Sequence, residues 1–112
     1  MNRARLLGGR MRDHMPRLFI LNDDREPVPA RDFMQWAEWC ERDMRRVALT
    51  TLADGSEVST VFIGCLPALF ETAHLRRDGT EILSRTSTWQ AAEQAHADAV
   101  ARLIVAARRA PA

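Results

Sequence analysis

Two cysteines and three histidines have the widest chemical range in this chain: Cys40, Cys65, His14, His74 and His96. A cysteine nucleophile needs a base within hydrogen-bond reach and a third group that orients the base. The pairs open to it are Cys40 or Cys65 with His74 or His96, with Glu71 as the orienting carboxylate. Cys40 falls on the apolar face of a predicted helix, where burial raises a thiol's pKa and suppresses its reactivity. Cys65 is better placed, beside a turn at the end of a strand. His96 lies on the apolar stripe of the last predicted helix, where a lone histidine is more often a hydrogen-bonded core residue than a base. Glu71 could pair with a nearby arginine or with His96. No nucleophile, base and oxyanion set converges, so no catalytic residue is assigned and the chain is expected not to be an enzyme.

Metal and cofactor chemistry find no better footing. The histidines lack HxH and HxxxH spacing and the cysteines lack CxxC, so no metal ligands are assigned. Gly8, Gly9, Gly55, Gly64 and Gly79 serve turns or the N-terminal segment rather than a phosphate-cradling loop, so no cofactor is expected. Apolar residues make up 46% and charged residues 28% of the 112, the composition of one ordinary globular domain. A net charge of +1 gives no global electrostatic reason for a nucleic-acid or membrane partner. All sixteen basic residues are arginine, which GC-rich codon usage explains, and they are spread from Arg3 to Arg109. No apolar run is long enough to span a membrane, and two unpaired thiols suit a reducing compartment. The expectation is a cytoplasmic protein.

The elements that must position these residues follow from periodicity. Residues 1–14 carry Arg3, Arg5, Arg10 and Arg12 and read as a basic, flexible leader outside the fold. A single α+β domain is expected over 15–110. Leu18–Leu21 is a short strand, Asn22–Arg25 has turn chemistry, and Pro27-Val28-Pro29 must be extended. A helix is predicted from Ala30 to Arg42, with Phe33, Trp36, Ala37 and Cys40 as its apolar face. Met34 and Trp39 fall off that stripe. Strands follow at 47–52, 58–63, 69–75 and 81–85, with hairpin signals at Asp54-Gly55 and Asp78-Gly79. In the third of these, Phe70, Thr72 and His74 share one face. Ser87 and Gln90 fit a capping box for a helix running to about Arg108. The order is β-α-β-β-β-β-α. An antiparallel sheet of four to five strands is expected, with two helices covering one face.

The pieces FILNDDREPVP, QWAEWCERDMRRVA, VSTVFIG, LFET and STWQAAEQAH, in that order from Leu18 to about Leu103, resemble a family of small uncharacterised proteins common in phages, prophages and their bacterial hosts. Relatives usually carry a longer glycine- and histidine-containing loop between the VSTVF and LFET strands. Here it shrinks to Cys65-Leu66-Pro67-Ala68. The resemblance implies a phage or mobile-element setting and carries no activity.

The reading that results is a small non-enzymatic protein, an accessory or inhibitor, that binds another protein. Its expected surface comprises Met34 and Trp39 together with the turn at Cys65, Leu66 and Pro67. Arg76 and Arg77 join them as a candidate charged patch. The alternative is a nucleic-acid-associated accessory protein using the arginine pairs and the basic arm. A homodimer through an edge strand or the uncovered sheet face is a third.

Overall fold

Alternation at period two governs the middle of the chain. In β4 (Glu57–Cys65) every second residue is buried, with Val58, Thr60 and Phe62 pointing inward. In β5 (Ala68–Arg76) the inward set is Phe70, Thr72 and His74, as the sequence predicts. The computed structural model of the chain describes residues 17–110. The leader at 1–14 therefore lies outside the described residues.

The sheet is antiparallel in the order β3 (Arg46–Thr51), β4, β5 and β6 (Gly79–Thr86). Cross-strand pairs fix its register: Thr50 lies opposite Val58, and Thr60 and Phe62 lie opposite Thr72 and Phe70. The hairpin between β3 and β4 turns at Gly55, whose φ of 88° is accessible to glycine without steric cost. Between β4 and β5 the turn is only Leu66-Pro67, joined by a cis peptide bond.

A separate two-stranded ribbon precedes the sheet, formed by β1 (Phe19–Leu21) and β2 (Pro27–Pro29). The sequence marks 27–29 as extended; the structure pairs it. Its turn is closed by Asn22, whose Oδ1 accepts from the backbone N–H groups of Asp24 and Glu26 at 2.8 and 2.9 Å.

The helix α1 spans Phe33–Cys40, shorter than the predicted 30–42. Asp32 caps it, accepting from the backbone N–H of Gln35 at 2.9 Å. The helix α2 spans Trp89–Arg109. Its cap is Thr88, which accepts from the Ala91 N–H at 3.1 Å, rather than the Ser87 box expected from sequence. Both helices lie on the inward face of the sheet. Their link is a row of aromatic rings packed edge to face: Trp39 on Phe62 at 5.4 Å, Phe62 on Phe70 at 5.0 Å, Phe70 on Trp89 at 6.3 Å. Each such contact adds roughly 0.5–1.5 kcal/mol beyond area burial. The α+β class, the strand order and the shared helix-covered face agree with the sequence expectation.

The opposite face carries Leu49, Val61, Leu75 and Ile82 beside an ion pair between Arg85 and Glu71 at 3.2 Å. Glu71 therefore faces away from His96 and meets an arginine instead.

Candidate binding surface

Under α2 the sheet carries a connected polar chain. The imidazole of His96 meets Thr50 Oγ1 through Nε2 and Thr60 Oγ1 through Nδ1, both at 2.8 Å, and Thr60 meets Thr72 at 2.8 Å. A neutral imidazole has one donor and one acceptor nitrogen, so two hydroxyl partners satisfy it fully. Burial pushes the His96 pKa below the ordinary histidine value of 6.5. His96 is thus the hydrogen-bonded core histidine its position suggests.

The consequence for stability has a definite sign. Below pH 6.5 the unfolded chain takes up a proton at His96 that the folded chain resists. Unfolded protein then binds more protons, and stability falls as pH drops from 6.5 toward the lower folded pKa. Above 6.5 the contribution is complete. Urea denaturation at pH 5 and pH 7.5, in wild type and in His96→Gln, checks this. The wild type is expected to lose stability on acidification by more than the variant; equal losses would contradict it.

His74 takes part in a second chain. Its Nε2 lies 2.9 Å from Ser56 Oγ, and that hydroxyl donates to Asp54 Oδ1 at 2.6 Å. The Ser56 hydroxyl and backbone N–H together hold the Asp54 carboxyl below the usual aspartate range. Serine stands between acid and histidine here. A nucleophilic serine instead gives its proton to the histidine, with the acid behind. The arrangement latches the 54–56 turn to β5.

The cysteine–histidine pairs do not form. Cys65 lies opposite Ala68, six residues along β5 from His74, a separation of roughly 20 Å at the rise of a strand. Cys40 is half-buried, and burial, opposed only in part by Arg45, pushes its thiol above the ordinary value. His96 has both nitrogens engaged.

The predicted binding residues divide into three groups. Trp39 is core: it is 5% exposed and packs on Phe62. Its assignment to the surface is corrected. Trp36, Ala37 and Cys40 of the expected stripe are half-buried and only Phe33, at the first helical position, is exposed; Trp39, in the C-terminal turn, makes the deepest contact with the sheet. Met34 is 64% exposed and Phe33 beside it 60%. Phe33 lines a cleft of about 700 Å³ whose other walls include Phe19, Pro29, Trp36 and Cys65, and Met34 is its neighbour on α1. Trp36 is anchored there by its Nε1–H donating to the Ile63 carbonyl at 3.2 Å, and Phe33 leans on it at 5.7 Å. Leu66 and Pro67, both exposed, continue this apolar surface next to Cys65.

Arg76 and Arg77 do not belong to it. They stand at the far end of β5, roughly 26 Å from Ala68 by strand rise. Arg76 is occupied by Asp78 at 3.4 Å and Glu81 at 3.3 Å. Arg45 and Arg46 lie two strands away and farther along, since Arg46 is opposite Val61. The arginine pairs therefore do not converge on one patch.

Phe33 is the residue that sequence reasoning missed. The signal was Asp32: an N-cap there puts Phe33 at the first helical position, outside any full turn that could bury it. Among the described residues no three His, Cys, Asp or Glu side chains cluster in a way that could hold a metal ion. No helix among them is long and apolar enough to cross a membrane. No family model, no curated protein and no solved structure matches this chain.

Proposed function

We propose that the protein acts by binding another protein, without catalysis, through the surface of Phe33, Met34, Trp36, Cys65, Leu66 and Pro67. The single observation that carries this reading is the pair of large side chains at 33 and 34, mostly exposed beside an apolar cleft. Aromatic anchors beside a pocket are the residues that most often dominate protein association. Arg17 and Arg31 border the same cleft; Arg31 is paired with Asp32 at 3.6 Å, whose other oxygen caps the helix, which leaves Arg17 to meet a charge on the partner. The partner that fits is a segment presenting an apolar side chain flanked by a carboxylate. The phage or mobile-element setting of that partner rests on the family resemblance alone. An accessory or inhibitory role is the form such binding takes in that setting.

The test is the double variant Phe33→Asp, Met34→Asp. Acidic residues in a first helical turn suit the macrodipole and offset part of the lost Phe33–Trp36 ring contact, so stability should fall by no more than about 1.5 kcal/mol. Affinity for a captured partner should fall by roughly 30-fold or more, as for loss of a 2 kcal/mol hot spot. A variant that binds like the wild type would overturn the assignment.

A further inference from the structure

We propose that the outer side of α2 pairs antiparallel with the same helix of a second copy of this chain, giving a twofold dimer. The helix outruns the sheet it packs on. Ala92, His96 and Ala99 are buried against the strands and Leu103 is half-buried. Ala107 continues that line at helical spacing and is exposed, as is every residue from Ile104 to Ala110. Two large apolar side chains stand in this projecting end, Ile104 at 40% exposure and Val105 at 44%. The surface at Phe33 lies elsewhere, near the Cys65 end of β4.

Charge selects the occupant. Glu93 and Asp98 occupy the N-terminal half of α2, and Arg102, Arg108 and Arg109 the C-terminal half, all of them exposed. Residues 1–16 carry Arg3, Arg5, Arg10 and Arg12 against the one acid Asp13, and would bring like charge to the arginines. A parallel copy of α2 would do the same. An antiparallel copy sets the arginines of each helix beside the acids of the other, and a twofold axis makes every such pair twice.

The spacing supplies a register. Glu93, Ala97, Ala101, Ile104, Val105 and Arg108 follow one another at three- and four-residue steps along one exposed side. With the twofold axis at Ala101, Ala97 meets Ile104 and Val105 of the second copy, and Glu93 meets its Arg108. Alanine at 97 and 101 lets the two axes approach to about 8 Å, the close end of helix packing. Overlap from Glu93 to Arg109 runs about 25 Å. Two helix faces of that length bury less than about 1,200 Å² in total, the class of weak, reversible pairs. A Kd on the order of 10 μM is expected.

Sedimentation equilibrium of the full chain at low salt, from about 1 to about 500 μM, brackets that value. The wild type should pass from monomer to dimer within the range. Ala101→Glu puts two carboxylates on the twofold axis from an exposed helical position, and should weaken the dimer by about 30-fold or more. Glu93→Arg turns two attractive pairs into two repulsive ones and should weaken it by about tenfold. Adding Arg108→Glu to that same chain should restore most of the loss, a recovery that a merely destabilised helix would not give. A chain that stays monomeric throughout would overturn the proposal, whether residues 1–16 then cover the helix end or it takes up anionic vesicles. A dimer of unchanged affinity in Ala101→Glu, as pairing through a sheet edge would give, would overturn it too. So would no recovery in the charge-swapped chain.

Discussion

Replacing Trp39 with alanine is expected to destabilise the protein by about 3–5 kcal/mol, the range for deleting a large buried aromatic. The indole sits at one end of the ring row Trp39–Phe62–Phe70–Trp89, and both inner members are fully buried. Its loss opens a cavity that β4 cannot close, because Phe62 is fixed by Phe70 from the other side. It also unfastens α1, whose only buried residue is Trp39. Total stability for a domain of this kind is roughly 5–15 kcal/mol, so the variant should approach the unfolding threshold. Urea denaturation with near-ultraviolet circular dichroism measures it. Unchanged stability would mean that Trp39 is a surface residue after all.

The second large effect is expected at Gly64. Its φ of 66° lies in the left-handed region, where a side chain costs about 1–2 kcal/mol. A β-carbon at this position would also strike the Phe19 carbonyl oxygen, and would meet the Phe62 ring at 2.8 Å and the Trp36 indole nitrogen at 3.0 Å. Three elements meet there: β4, the ribbon strand β1 and α1. Two of the obstacles are a backbone atom and a fully buried ring, which have nowhere to move. Gly64→Ala should therefore cost about 3 kcal/mol or more. Gly55 is the control. Its φ is 88°, but nothing lies within 4 Å of the added carbon, so Gly55→Ala should show only the backbone cost of about 1 kcal/mol. Equal losses at the two glycines would show that the β1–β4–α1 junction is looser than described.

The two glycines illustrate what the sequence can and cannot convey. Gly55 follows Asp54 between two alternating runs, and that pattern announces a hairpin by local chemistry alone. Gly64 reads only as the end of a strand. Its role depends on Phe19 and Trp36, which approach from distant parts of the chain. The same division holds for the elements. The inward residues of β5 are legible because a strand has two faces and Phe70, Thr72 and His74 can share only one. The orientation of α1 is not, because two turns of helix give too few positions to separate a face toward the sheet from one toward solvent. Trp39 and Phe33 consequently exchange roles between sequence and structure. The pairing of β2 was hidden by prolines at both its ends, which remove two ladder donors. Of the proposed surface, Met34 and the Cys65–Pro67 turn are the parts that the sequence marks. Joining them to Phe33 and separating them from Arg76 and Arg77 required the register of β4 against β5.

The central claim is that the Phe33–Met34 surface is where the protein meets a protein partner. The most direct measurement is capture from source-cell extract with three immobilised chains: wild type, Phe33→Asp with Met34→Asp, and Thr80→Asp. Thr80 is exposed at the opposite end of the sheet, beyond the turn at Arg77 and Asp78. A partner retained by the wild type and by Thr80→Asp, but lost from the double variant while that variant remains cooperatively folded, is the predicted result. A partner held equally by all three chains would contradict it.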